Sequence, residues 1–176
     1  GNSSSLRMGN GSYLVDCNIE NLTFKGTVNV GSGNTASGEI INADTLQNLI
    51  NGNRTLEVFG NFTNQGVIQE TNNHLNFIIH GDIINHGEWT GGIVKFDGTQ
   101  DHNITFNPGA FIFCNEIENV DPTAKIILQS DIQIRHALIT PNDCLIEANN
   151  HLFTLRQNAH IDACTIVDPQ LGGEFK

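Results

Sequence analysis

Short stretches of this 176-residue chain alternate between two kinds of side chain at every second position. In the segment Val58–Gln65, Val58 and Phe62 share one face of an extended chain, whereas Asn61 and Thr63 lie on the other. A period of two is the pattern of a half-buried strand, because successive side chains point to opposite faces. Glycine, asparagine and aspartate separate these stretches, and such residues favour turns. The pattern therefore predicts an all-β chain made of many short strands.

The strand pattern also repeats along the chain. The segment Val58–Gly66 is matched 21 residues later by Ile79–Gly87, with the shared pattern apolar-x-Gly-[Asn/Asp]-apolar-x-Asn-x-Gly. A repeat of about 20 residues with two or three short strands is typical of a parallel β-solenoid. A β-sandwich is the alternative fold, although a sandwich gives no reason for a fixed repeat interval. We predict one solenoid domain over residues 9–176, preceded by a linker or expression remnant over residues 1–8.

One segment departs from the strand pattern. Leu46, Leu49 and Ile50 are spaced as i, i+3 and i+4, and Asp44 before them suits a helix N-cap. An Asn-Gly pair follows, which suits the end of a helix. The spacing predicts one short helix over residues 43–51, either covering a solenoid end or packed on its side.

Charge and composition exclude several classes of function. The chain has 8 Lys and Arg against 19 Asp and Glu, and its net charge is −11. Phosphate backbones and anionic membranes both attract clusters of Lys and Arg, so we expect neither a nucleic-acid partner nor membrane docking. No run of 18 apolar residues is present, so we expect no membrane insertion. The 24 asparagines and 21 isoleucines fit turns and a stacked apolar core, respectively.

Three segments carry a family resemblance. Gly60–Gly66 resembles the Gly-[Asn/Asp]-Phe-x-Asn-x-Gly element of bacterial surface proteins, and Val94–Gln100 and Ile127–Ile134 are similar to other coils of those proteins. The resemblance covers roughly residues 55–160. Proteins of this filamentous-haemagglutinin or autotransporter-passenger type are right-handed parallel β-helices, are secreted or attached to the cell surface, and often serve in adhesion or as stalks. The resemblance therefore implies a secreted or cell-surface module whose partner is a host or matrix protein or a glycan.

The solenoid prediction gives structural roles to two residue pairs. Asn64 and Asn85 occupy equivalent inward positions in the two copies, so their amides are predicted to bond to one another as a ladder. Cys144 and Cys164 are 20 residues apart, and equivalent places on adjacent coils would allow a disulfide. The alternative for the cysteines is buried free thiols that pack as small hydrophobes. Uncovered coil ends would also expose strand edges, which allows end-to-end or edge association with another chain.

Three residues are the only candidates for a metal site. His80, Asp82 and His86 share the second face of the strand pattern, and histidine with carboxylate can bind zinc or another divalent cation. The alternative is a polar, solvated face, because a turn at Gly87 interrupts the run. We predict no bound cofactor.

Catalysis is a weaker expectation than binding. Many parallel β-helices cleave pectin, and a resemblance to those enzymes would imply clustered aspartates with a nearby basic residue, or adjacent carboxylates at the cleaved bond. This chain has no Asp-Asp pair, and its basic residues are scattered. We therefore predict a non-enzymatic module for adhesion, binding or spacing. The alternative is a carbohydrate-active β-helix, either a polysaccharide lyase or a glycan-binding protein.

Overall fold

A computed structural model of the chain describes residues 4–8, 12–71, 73–113, 116–135, 138–141, 145–156, 158–161, 165–168 and 173–175. Within these ranges the chain forms β-strands and turns and contains no helix. Parallel strands stack as a β-solenoid of about seven turns, which confirms the predicted fold class. Because the described part contains no helix, it holds none long and apolar enough to cross a membrane.

Each coil contributes one strand to each of three faces, which we call A, B and C. Face A contains the first halves of β3 (Asn18–Lys25) and β5 (Asn34–Asn42), then β7 (Arg54–Val58), β10 (Leu75–Ile79), β13 (Ile93–Phe96), β16 (Glu116–Asn119), β19 (Leu138–Pro141) and β22 (His160–Ile161). Face B contains β1 (Ser4–Arg7), the second halves of β3 and β5, β8 (Phe62–Asn64), β11 (Ile83–Asn85), β14 (His102–Phe106), β17 (Lys125–Leu128), β20 (Leu145–Glu147), β23 (Thr165–Asp168) and β24 (Gly173–Phe175). Face C contains β2 (Tyr13–Leu14), β4 (Thr27–Val30), β6 (Thr45–Gln47), β9 (Val67–Gln69), β12 (Glu88–Thr90), β15 (Phe111–Phe113), β18 (Ile132–Arg135) and β21 (Phe153–Arg156).

We number the coils by their face A strand: coil 1 begins at β3, coil 2 at β5, coil 3 at β7, coil 4 at β10, coil 5 at β13, coil 6 at β16 and coil 7 at β19. The register confirms the repeat read from the sequence, because Val58 pairs with Ile79 and Phe62 pairs with Ile83. All neighbouring strands run parallel except β24, which pairs antiparallel with β23. Residues 4–7, which lie in the segment interpreted as a linker, form β1 and pair with β3.

The core runs along the axis of the solenoid and is filled by inward side chains of all three faces. Its aromatic centre is a contact between three faces: Phe77 from face A, Phe62 from face B and Trp89 from face C, with ring centroids 4.8–5.5 Å apart. All three rings have 0 % exposure. Aromatic pairs in tilted and edge-to-face arrangements add stability beyond the area they bury. The centre of the solenoid is therefore a packed core without a channel at this level.

The helix predicted over residues 43–51 is wrong. Thr45–Gln47 instead forms β6, which pairs in parallel with β4 and β9. Leu46 is fully buried between Val28 and Ile68 of the adjacent coils, whereas Leu49 is 47 % exposed. A helix would place both leucines on one buried face. Stacking between coils thus outweighs the local spacing, as tertiary context often does.

Candidate binding groove

The corner between faces B and C is tight in coils 3 and 4. Gly66 and Gly87 occupy this corner, immediately after β8 and β11. A Cβ atom on Gly66 would lie 1.9 Å from the carbonyl oxygen of Asp44, and one on Gly87 would lie 1.9 Å from that of Gly66. The backbones of successive coils are therefore in direct contact here, and only glycine fits.

The same corner widens in coils 5 to 7. Its connections there are residues 107–110 between β14 and β15, residues 129–131 between β17 and β18, and residues 148–152 between β20 and β21. Two of these connections are closed by their own backbone bonds: Ala110 N–H donates to Asn107 O at 2.9 Å, and His151 N–H donates to Ala148 O at 2.8 Å. A Cβ atom on Gly109 would meet nothing within 4 Å. The chain thus leaves room beside this corner instead of filling it.

The widened corner forms a groove of about 500 Å³. Its wall is mixed, with a backbone turn, apolar side chains at the floor and polar side chains at the rim. The lining residues are Phe106, Asn107, Pro108, Gly109, Ala110, Ser130, Asp131, Ile132, Gln133, His151 and Thr154. Phe106 and Ile132 are each 3 % exposed and form the floor.

Polar side chains of the groove are held by bonds between coils. Ser130 Oγ accepts the backbone N–H of Phe106 at 2.6 Å, which ties coil 6 to coil 5. Asp131 Oδ1 accepts the backbone N–H of Leu152 at 2.8 Å, which ties coil 6 to coil 7. His151 Nδ1 lies 3.5 Å from the same Oδ1, and the Asp131 side chain is 72 % exposed. The groove therefore presents an anchored carboxylate to solvent.

An asparagine ladder runs through the core beside the tight corner. Asn42 Nδ2 donates to Asn64 Oδ1 at 2.8 Å, and Asn64 Nδ2 donates to Asn85 Oδ1 at 2.8 Å. All three side chains have 0 % exposure. The register places Phe24 before the first asparagine and Phe106 after the last, so the ladder has three members. The pair Asn64 and Asn85 thus has a structural position in the interior, away from any surface site.

A second ladder was not predicted from the sequence. Gln69 Nε2 donates to Gln47 Oε1 at 3.0 Å, and Gln47 Nε2 donates to Asn29 Oδ1 at 2.8 Å. Its members are separated by 18 and 22 residues. Because these intervals differ from each other and from the 21-residue repeat, a search at one fixed offset does not align them. Their shared position on face C was the only available signal.

The three metal candidates lie at two different corners. His80 follows β10 at the corner between faces A and B, where its Nε2 lies 3.0 Å from Glu57 Oε1 and its ring stacks on Phe59. Asp82 is at the same corner, and its Oδ1 accepts the backbone N–H of Asn103 at 2.8 Å. His86 is exposed at the corner between faces B and C. Face B therefore separates His86 from the other two side chains.

Among the described residues, no group of three or more His, Cys, Asp and Glu side chains is placed to hold a metal ion. Cys17 is a free thiol. The predicted Cys144–Cys164 pair lies outside the described residues.

Comparisons with known proteins add no family to this description. A scan against protein-family models, a search of curated proteins and a search of solved structures each found no significant match. The coordinates define the class of the chain as a parallel β-solenoid.

Proposed function

We propose that this chain is a non-enzymatic binding module of a secreted or cell-surface protein, and that it holds a host or matrix protein or a glycan in the groove of coils 5–7. The groove is the observation that carries the proposal. It combines an apolar floor with a few fixed polar groups, which is the usual composition of a ligand site.

The rest of the solenoid supports this role by rigidity. Parallel hydrogen bonds join every coil to the next, and two side-chain ladders add bonds inside coils 1–4. Binding groups on a rigid scaffold lose little freedom when a partner docks, so less of the contact energy is lost to ordering. The same rigidity suits a spacer that holds the groove away from a surface. The resemblance of Gly60–Gly66 to haemagglutinin-type coils supports the secreted or cell-surface location.

A carbohydrate-active enzyme is the second candidate. One observation favours it: Asp131 and His151 face each other at 3.5 Å on the groove wall, and both residue types serve as general acids and bases. A lyase or glycosidase would need these groups to contact a bound saccharide at the cleaved linkage.

The test uses the whole chain and a variant that fills the groove, Ala110→Trp. Ala110 lines the groove and is only partly buried, so a large side chain there occupies the space without entering the core. The control is Glu39→Gln, which removes one exposed charge at the other corner of face B. Both variants and the wild type are applied to a glycan array and to a panel of immobilised matrix proteins. We expect wild type and Glu39→Gln to bind at least one ligand that Ala110→Trp does not bind.

Enzyme activity is measured in parallel, by the ultraviolet absorbance of unsaturated products from acidic polysaccharides and by release of reducing ends. Turnover by the wild type that is lost in Ala110→Trp would replace the binding proposal with the enzyme. Equal binding by all three proteins would place the partner elsewhere on the solenoid.

A further inference from the structure

We infer that the groove of coils 5–7 binds an extended polypeptide segment that carries a lysine or arginine close to an apolar side chain. This inference rests on the proposed function, because it names the class of partner for the same groove. It is built from the charge of the rim, the apolar surface beside it, the absence of an exposed aromatic face and the length of the groove.

The charge of the rim comes from Asp131. One of its oxygens is used by the backbone N–H of Leu152, and an ionised carboxylate has about four acceptor positions. Its side chain is 72 % exposed, and the one ion-pair partner found for it within the described residues is His151. A charged donor from a partner would therefore find acceptor positions that the protein leaves accessible. Ammonium and guanidinium groups form the strongest such bonds with carboxylates.

The apolar part of the surface is next to that carboxylate. Leu152 is 64 % exposed, the highest value among the large hydrophobic residues that the structure describes as exposed. Its backbone is the group bonded to Asp131, so the apolar side chain and the carboxylate belong to one small area. Pro108 and Ala110 extend the apolar surface across the groove. An exposed leucine that borders a pocket is typical of a contact with a partner.

The aromatic residues argue against a sugar as the main ligand. Aromatic rings offer large flat apolar faces, and the C–H face of a sugar ring packs on such a face. The single tryptophan, Trp89, has 0 % exposure, and Phe106 in the groove floor is 3 % exposed. The groove therefore presents no phenyl or indole face to solvent, while it does present the carboxylate and the leucine.

The length of the groove fits a short extended chain. Three coils at a spacing of about 4.8 Å span about 10 Å along the solenoid axis. An extended chain covers this distance with about three residues, at about 3.3 Å each. The cation and the apolar side chain are therefore expected within three residues of each other in the partner.

The experiment selects binders from a phage library of random 12-residue peptides, with the whole wild-type chain as bait. Enriched peptides are synthesised and titrated by fluorescence anisotropy against four proteins: wild type, Asp131→Asn, Leu152→Ser and the control Glu39→Gln. Asparagine at position 131 keeps the Oδ1 acceptor for Leu152 N–H, so this variant removes the charge and keeps the bond between coils. Thermal unfolding of each variant checks that the fold is retained.

We expect enriched peptides with a lysine or arginine within two residues of an apolar residue. Asp131→Asn should weaken their binding on the order of tenfold, as the loss of a charge-assisted hydrogen bond does. Leu152→Ser should weaken it by about fivefold, from partial loss of apolar burial. Glu39→Gln should bind with unchanged affinity, although higher salt should weaken all of these complexes.

Selected peptides that bind Asp131→Asn as tightly as wild type would overturn the inference. So would a selection that yields no binder, combined with a glycan that binds wild type and is lost in Ala110→Trp; in that case the groove remains the binding site and its ligand is a glycan. If neither peptides nor glycans lose affinity in Ala110→Trp, the groove itself is excluded and both the inference and the proposed function fail.

Discussion

Replacing Asn64 with leucine tests whether the buried ladder stabilises the solenoid. Asn64 is the central member and takes part in three side-chain hydrogen bonds: it accepts from Asn42 Nδ2 at 2.8 Å and donates to Asn85 Oδ1 at 2.8 Å and to Glu88 O at 3.0 Å. Leucine has a similar size but can make none of these bonds. The substitution therefore removes the polar contacts while it largely preserves the packing volume.

The magnitude follows from the number of bonds. A buried hydrogen bond contributes about 1 kcal/mol net, so three bonds correspond to about 3 kcal/mol. Asn85 Oδ1 loses its one donor in the described part of the chain, whereas Asn42 Nδ2 keeps Val67 O at 3.1 Å. Burial of the leucine side chain offsets part of the loss, which leaves a net destabilisation of about 2–3 kcal/mol. For a chain of this length the melting temperature should fall by about 4–12 °C.

Asn85→Leu should cost less than Asn64→Leu. It removes two bonds, one from Asn64 Nδ2 and one to Phe111 O at 3.1 Å, and Asn64 Nδ2 keeps Glu88 O. The expected loss is about 1–2 kcal/mol. Replacing all three asparagines with leucine should cost less than the sum of the single replacements, because no polar partner is then left unpaired inside the row.

The assay is thermal and urea unfolding followed by far-UV circular dichroism, with Thr63→Val as the matched control. Thr63 is the neighbour of Asn64, is 8 % exposed and belongs to the outward side of face B. We expect its replacement to change stability by less than about 0.5 kcal/mol. An unchanged melting temperature for Asn64→Leu, or a larger loss for Asn85→Leu than for Asn64→Leu, would refute the ladder as a source of stability.

Three further predictions test other parts of the structure. Gly87→Ala should lower the unfolding free energy by about 3 kcal/mol or more in urea titrations, because the new Cβ would lie 1.9 Å from the carbonyl oxygen of the glycine one coil earlier. Leu46→Ala should cost about 2–5 kcal/mol by the same assay, whereas Leu49→Ala should cost less than about 1 kcal/mol; equal losses would support a helix instead of β6. The hydroxyl and the backbone N–H of Thr123 donate to Asp121 and lower the pKa of that carboxyl, so its contribution to stability is present at neutral pH and is lost as the pH falls through the folded-state pKa. Thr123→Val should raise the pKa of Asp121 towards the ordinary aspartate value in a carboxyl-detected NMR titration, and an unchanged pKa would contradict the assignment.

The sequence predicts the coils better than the corners. Val58 and Ile79 could be aligned in advance because both lie in strands of equal length, joined by equal turns at a 21-residue offset. Leu46 could not, because an i, i+3, i+4 spacing also arises when a three-residue strand is followed by a corner. Only the stacking of Leu46 on Val28 and Ile68 distinguishes the two arrangements.

The groove lies beyond what the repeat can predict. It exists because the corner connections of coils 5–7 differ in length from the glycine turns of coils 3 and 4, and these connections share no motif. Phe106, Asp131 and His151 are about 20 residues apart from one another, so their proximity depends on the register of several coils at once. A polar residue such as Asp131 in a connection is ordinary in sequence, and its exposure beside a leucine becomes visible only in the folded chain.

The asparagine ladder also gives the middle of the solenoid a direction. Every amide donates towards the C-terminal coils, so the three side-chain dipoles align head to tail and polarise one another. The row begins at Asn42 Oδ1, which is buried without a donor, and ends with the bond from Asn85 Nδ2 to Phe111 O. Opening any one of coils 2–4 would break the alignment for the other two. Native-state hydrogen exchange should therefore show these coils opening as one cooperative unit, with a common free energy of opening that falls together in Asn64→Leu.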